Sequence, residues 1–237
     1  MIERDRIGVR ADALGKRLFD VSASALLLIV VAPFFVALAI AVKLESRGPV
    51  FFGSRRVGRG GRDFRVLKFR KMRDGATGPP LTATDDERFT RIGRFLARTK
   101  LDELPQLINV FKGDMSLVGP RPEDPEFVEL CRVDFATILT VRPGITGLSQ
   151  LAFAKESELL DPARRIEDYV GRFLPQKIAL DRAYVARRTL ALDLKILAWT
   201  AAAVIVRQDV AVNRKTAALT ARRRPARGEL GTAPVAQ

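Results

Sequence analysis

The chain has 237 residues, with 41 Lys and Arg against 27 Asp and Glu, a formal charge of +14, no His and one Cys, Cys131. These counts exclude Ser–His triads, imidazole-held metals, thiolate clusters and a disulfide framework. The excess of cations implies an anionic partner, whether nucleic acid, an anionic membrane surface or a phosphorylated substrate, and leaves chemistry to carboxylates, Lys, Arg, Tyr, hydroxyls or an oxygen-held metal.

Residues 1–17 form a basic arm carrying Arg4, Arg6, Arg10, Lys16 and Arg17. From Val21 to Val42 there is no charge. As a helix that run is about 33 Å long, against a hydrocarbon core of about 30 Å, so residues 18–46 read as a membrane segment. Pro33 lies near its middle and removes the backbone bond to the Ile29 carbonyl. Lys16 and Arg17 precede the run, and Lys43, Arg47, Arg55 and Arg56 follow it. Basic flanks on both sides favour a re-entrant helix–break–helix with Pro33 as the break over a spanning helix.

Next comes a short basic β-hairpin, with strands at Val50–Phe52 and Phe64–Phe69 and a turn containing Gly58, Gly60 and Gly61. Strand alternation sets Lys68 and Arg70 on one face. Residues 74–87 read as loop, 88–97 as a short basic helix, and Thr99–Lys112 as a second helix ended by Gly113. Arg142-Pro143-Gly144 opens a turn before a largely helical half. Thr189–Val206 is apolar but interrupted by Asp193 and Lys195, as an interfacial or buried helix would be. The expectation is a mostly helical α+β fold with amphipathic interfacial helices, a catalytic domain over 47–206 and a disordered basic tail over 207–237.

On a helical wheel, Leu101, Leu104, Leu107, Ile108 and Phe111 make one apolar stripe of the 99–112 helix. Asp102, Gln106 and Asn109 lie opposite, with Glu103 at the edge. Two readings compete. Thr99-x-x-Asp102 fits a capping box with Pro105 near a helix start. Alternatively, an acid ionised at a helix N-terminus serves as a nucleophile or a Mg²⁺ ligand, and adjacent acids diverge enough to take separate tasks. Arg98, Arg121 and Arg142 lie near turns or element ends, where a guanidinium can fork onto phosphate.

The ordered set KRLFD (16–20), the apolar run with its central Pro, GPVFF (48–52), KFRKM (68–72), LDELPQLINVFKGDMSLVGPRP (101–122) and RPGITGL (142–148) resembles the bacterial sugar transferases, monotopic polyprenyl-phosphate phosphoglycosyl transferases, over about residues 16–206. The resemblance implies transfer of a phospho-sugar from a nucleotide diphosphate sugar, usually a UDP-sugar, to polyprenyl (undecaprenyl) phosphate. The site would be on the cytoplasmic face of the bacterial inner membrane, beside anionic lipids. It implies Asp102 as the nucleophile that carries the phospho-sugar and releases UMP, Glu103 as its partner, and Mg²⁺ as cofactor with Asp102 as its ligand. Lys68, Arg98, Arg121 and Arg142 become the phosphate-facing cations.

Two departures stand out. Ala32 precedes Pro33 where many relatives have Ser, and Gly147-Leu148-Ser149-Gln150 replaces a Gly-Trp-Ala-Gln run. Sugar recognition is expected within 151–168. The alternative reading, a membrane-anchored nucleic-acid-binding or scaffold protein, rests on charge alone. Few aromatics interleave with the basic runs and no helix-turn-helix or zinc signature appears, so no nucleic-acid partner is expected.

Overall fold

A computed structural model describes residues 2–78, 86–154, 156, 164–206, 208–213 and 216–221, with side chains from 14 onward. Helix α1, Ile2–Glu45, is 44 residues long and contains Pro33. It is continuous, which corrects the expected helix–break–helix. Pro33 forfeits one backbone bond, but Val31 and Phe35 on either side each pack against a hydrophobic cluster of the domain. The turns flanking the proline are thereby held.

Both ends of the apolar stretch of α1 are pinned to the same domain. At the first, Lys16 donates to the Val118 carbonyl at 3.1 Å and Arg17 to the Val110 and Phe111 carbonyls, while buried Asp20 accepts the Leu117 amide at 3.0 Å. The KRLFD motif is thus an anchor. At the other end Arg70 donates to the carbonyls of Ser46 and Arg47 at 2.7 and 2.6 Å, covering groups that no helical turn can satisfy. Glu45 accepts the Ile92 amide, placing a carboxylate at the start of helix α2 (Arg91–Thr99).

Between these anchors stands the hairpin of β1 (Phe51–Val57) and β2 (Asp63–Phe69), antiparallel with Phe52 opposite Lys68. Helix α3 (Gln106–Lys112) packs between α1 and β2, followed by β3 (Ser116–Val118). Helices α4 (Pro125–Leu130) and α5 (Arg132–Ile138) lead to β4 (Gly144–Thr146), parallel to β3. A Cβ on Gly144 would lie 2.0 Å from the Gly119 nitrogen, so the two motifs containing these glycines interlock through bare backbone. Helices α6 (Leu148–Ala152) and α7 (Arg165–Asp168) follow. A π turn, Tyr169–Phe173, leads into α8 (Leu174–Arg187), and α9 is Leu190–Ile205.

The mostly helical α+β expectation holds. The disordered tail needs correction. Strands β5 (Val210–Val212) and β6 (Leu219–Ala221) pair antiparallel, and Val210, Ala217 and Leu219 join the central core with Leu107, Leu117 and Ile196. Basic composition hid three buried apolar side chains. Residues 222–237 lie outside the described residues, as do 79–85 of the expected loop and most of 155–163, within the segment expected to recognise sugar.

Candidate active site

The single helix expected over Thr99–Lys112 is three elements. Helix α2 ends at Thr99, Lys100 takes a left-handed conformation with φ 61°, and a 3₁₀ turn spans Leu101–Glu103 before α3 begins. A non-glycine residue with positive φ is held there by its surroundings. Thr99 donates its hydroxyl back to the Phe95 carbonyl at 2.8 Å, so it closes α2 and the capping box does not form. The kink turns Asp102 inward, to 3% exposure. The polar stripe faces the protein: Gln106 and Asn109 are buried, whereas Phe111 of the apolar stripe is half exposed.

Asn109 fixes the distance between α3 and β2. Its oxygen accepts the Leu67 amide at 2.9 Å and its NH₂ donates to the Arg65 carbonyl at 2.8 Å. Lys68 is thereby presented to Glu103, Nζ to Oε1 3.0 Å. Asp102 instead meets Lys71, Nζ to Oδ2 3.4 Å. The neighbouring acids therefore point to different cations. Burial pushes the Glu103 carboxyl upward, but Lys68 and Arg121 outweigh it and hold the group down at about 2. Burial lowers Lys71, opposed by the charge of Asp102.

Arg121 follows β3 and acts on Glu103 through its charge, without a hydrogen bond or ion pair of its guanidinium among the described residues. Burial pulls it down, and Glu103 and Glu123 more than restore it. Behind it is a buried polar chain: Tyr169 donates to Glu123 at 2.7 Å, Lys177 to Tyr169 at 3.3 Å, and Lys177 pairs with Glu156. Burial also raises Asp181 to about 7, although Ser149 donates to it at 2.7 Å. Ser149, one of the departures in the sequence, has this as its role.

Of the residues singled out in the sequence, Asp102, Glu103, Lys68 and Arg121 lie together in the fold. Arg98 is exposed in the last turn of α2, three residues ahead of the 3₁₀ turn. Arg142 is not brought to the dyad. Its Nε donates to the Gly113 carbonyl at 2.8 Å, at the far end of α3. Lys71 was missed because the KFRKM run leaves the strand after Phe69, where alternation no longer tells which way a side chain points. Glu123, Tyr169 and Lys177 have no local signal; helices distant in sequence bring them together.

A family model described as bacterial sugar transferase matches residues 11–207. The chain belongs to the bacterial sugar transferase family. Among relatives of this bacterial sugar transferase, an undecaprenyl-phosphate glucose phosphotransferase of Komagataeibacter xylinus is 39% identical over 195 residues, covering 78% of this chain and 35% of the relative. A UDP-glucose:undecaprenyl-phosphate glucose-1-phosphate transferase of Caulobacter vibrioides is 40% identical over 189 residues, covering 78% of this chain and 67% of the relative. A UDP-N-acetylgalactosamine-undecaprenyl-phosphate N-acetylgalactosaminephosphotransferase of Aeromonas hydrophila is 40% identical over 157 residues, covering 64% and 37%. The chain therefore spans about one third to two thirds of these relatives' own length.

Proposed function

We propose that this bacterial sugar transferase moves a phospho-sugar from a UDP-sugar to undecaprenyl phosphate through a covalent intermediate on Asp102, as a first membrane step in polysaccharide or glycoconjugate assembly. The observation that carries the reading is the division of the dyad: Asp102 faces Lys71, Glu103 faces Lys68, and Arg121 lies beside them without a described partner. An Asp102 oxygen attacks the sugar-bearing phosphorus. The P–O bond to UMP breaks and UMP departs with the electron pair. A phosphate oxygen of the lipid then attacks the same phosphorus, and the acyl-phosphate P–O bond breaks to restore the carboxylate. Two displacements let one site release a soluble nucleotide before receiving a lipid. Lys68, Lys71 and Arg121 offset the repulsion between a carboxylate and a diphosphate, each charge-assisted bond contributing about 1.5–3 kcal/mol.

Among the described residues there is no cluster of three or more metal-ligating side chains. Two carboxylates nonetheless fit Mg²⁺, which takes one or two from protein and completes its shell with phosphate and water. Asp102 and Glu103 would hold it, and it would neutralise diphosphate charge. The relatives' names differ in sugar, glucose against N-acetylgalactosamine, so the sugar is a matter for assay.

The reading also places the active face on the cytoplasmic side of the inner membrane. Helix α1 between Lys16 and Glu45 is about 44 Å long, the thickness of a whole bilayer with headgroups, yet both its ends bond to the one domain that holds the dyad. Its outward stripe, Leu14, Leu18, Ile29, Val30, Val36, Ile40 and Leu44, is exposed. A helix fastened along a domain with an apolar outer face lies in the membrane from one side.

Mass spectrometry of the enzyme with UDP-sugar and Mg²⁺, without lipid acceptor, tests the chemistry. A phospho-sugar adduct is expected on the peptide containing Asp102 and not in Asp102→Asn, which keeps shape and hydrogen-bonding capacity. UMP release only after lipid is added, with no adduct at any stage, would establish direct transfer instead.

A further inference from the structure

A charged cavity lies away from the dyad. A cleft of about 450 Å³ opens between the tip of the β1–β2 hairpin and the C-terminal end of α3, lined by Arg59, Arg62, Asp63, Gly113, Asp114 and Arg142 among others. By helical rise it is about 15 Å from Asp102. Nε of Arg142 is tied to the Gly113 carbonyl, which aims the guanidinium and leaves its two terminal amino groups without a partner among the described residues. Arg59 and Arg62 are exposed and make no described ion pair. The two acids are already engaged: Asp63 pairs with Arg55, and Asp114 receives the Asn109 NH₂ at 3.4 Å.

Arg17 stands beside Gly113 and adds its charge, although its own amino groups are committed to carbonyls. Burial, together with the charges of Arg59 and Arg17, pushes the Arg142 guanidinium below its ordinary value, against the opposing charge of Asp20. Cations gathered around a cavity at mutual cost are a site short of an anion. The fork of each guanidinium matches a phosphate better than a single carboxylate. Leu14 and Leu18, flanking Arg17 on α1, are 72% and 70% exposed, and Phe111 is half exposed. These apolar groups set the cleft at the level where a bilayer carries its headgroups.

We propose that this cleft is a phosphate-binding site distinct from the dyad, open to the phosphodiester of an anionic lipid headgroup or to a free phosphate. It takes Arg142 out of the reacting centre and gives it a separate task. The test is calorimetric titration of the full chain in neutral detergent, without nucleotide sugar, using inorganic phosphate in one arm and short-chain phosphatidylglycerol in the other. Both probes should bind and compete. Tighter binding of the lipid assigns the site to headgroups, and equal or tighter binding of inorganic phosphate assigns it to the free ion. The exposed double variant Arg59→Gln/Arg62→Gln, and separately Arg142→Gln, should weaken binding about tenfold or more, the scale of one lost charge-assisted bond. In an Arg121→Gln background, which removes a phosphate-facing cation of the proposed active site, the cleft affinity should persist, which separates failure here from failure of the transfer mechanism. Absence of binding to the unaltered chain, affinity untouched by the cleft variants, or loss with Arg121→Gln alone would each overturn the proposal.

Discussion

Lys71 and Asp102 meet at 3.4 Å with the acid almost wholly enclosed and the Lys side chain still 26% exposed. Lys71→Met leaves a buried carboxylate without its cation. The expected loss of stability is about 1–3 kcal/mol, below the scale of fully enclosed pairs because water still reaches the ammonium. Turnover should fall further than stability accounts for, and Lys71→Arg should recover the melting temperature more than it recovers kcat. Equal kcat in all three proteins would make Lys71 a packing residue. Asp181 supplies the pH dependence. Its folded value, about 7, lies above the ordinary 3.8 because burial opposes its charge. For an acid raised in this way the folded state holds the proton longer, so stability is greatest at low pH and falls as pH climbs from about 4 to 7, by up to about 1.4 kcal/mol per unit. Thermal unfolding should show that decline in the unaltered chain and a flatter profile in Asp181→Asn. Glu103, held at about 2, stays ionised throughout that window.

At the level of elements, the site depends on how closely α2 approaches the segment after β2. A Cβ on Gly93 would lie 1.8 Å from the Lys71 carbonyl oxygen, so Gly93→Ala must push the helix and the segment apart. Overpacking of this kind costs about 1–3 kcal/mol. Because Lys71 is the residue displaced, activity should drop alongside the melting temperature. Full activity at a lowered melting temperature would show that the dyad tolerates the movement. Thr90 caps the Gly93 amide at 2.9 Å and Glu45 takes the Ile92 amide, so the end of α1, the start of α2 and Lys71 form one joint. Through that joint α1 is mechanically connected to Asp102, the partner of Lys71.

Across the whole molecule, the anchoring of both ends of the apolar stretch of α1 to one domain predicts its topology. In a Cys131→Ser background, Asp12→Cys and Arg65→Cys should both be shielded from an impermeant thiol reagent in intact cells and both react after lysis. Labelling of position 12 alone in intact cells would mean that α1 crosses the membrane. Two observations support this expectation by different routes: basic charge at both flanks of the apolar run, and the hydrogen bonds of Lys16, Asp20, Glu45 and Arg70 that tie both flanks to one domain.

The sequence by itself determined the long apolar run of α1, the hairpin, the mostly helical class and the Asp-Glu pair on which the proposed site is built, because each has a local signature. An uncharged run, glycine punctuation, strand alternation and an Asp-Glu pair next to Pro105 can all be read within a few residues. Only the tertiary structure decided the rest. It divided the 99–112 helix at Lys100, because a left-handed residue is held by packing on both sides rather than chosen by its own preference. It carried α1 through Pro33, since contacts with the domain on either side hold the turns flanking the missing bond. It paired Asp102 with Lys71, set Arg121 within the field of Glu123, which Tyr169 hydrogen-bonds, and sent Arg142 to the opposite end of α3. In each case the deciding partner is distant in the chain, and the direction of a side chain at the end of an element has no periodicity from which to read it.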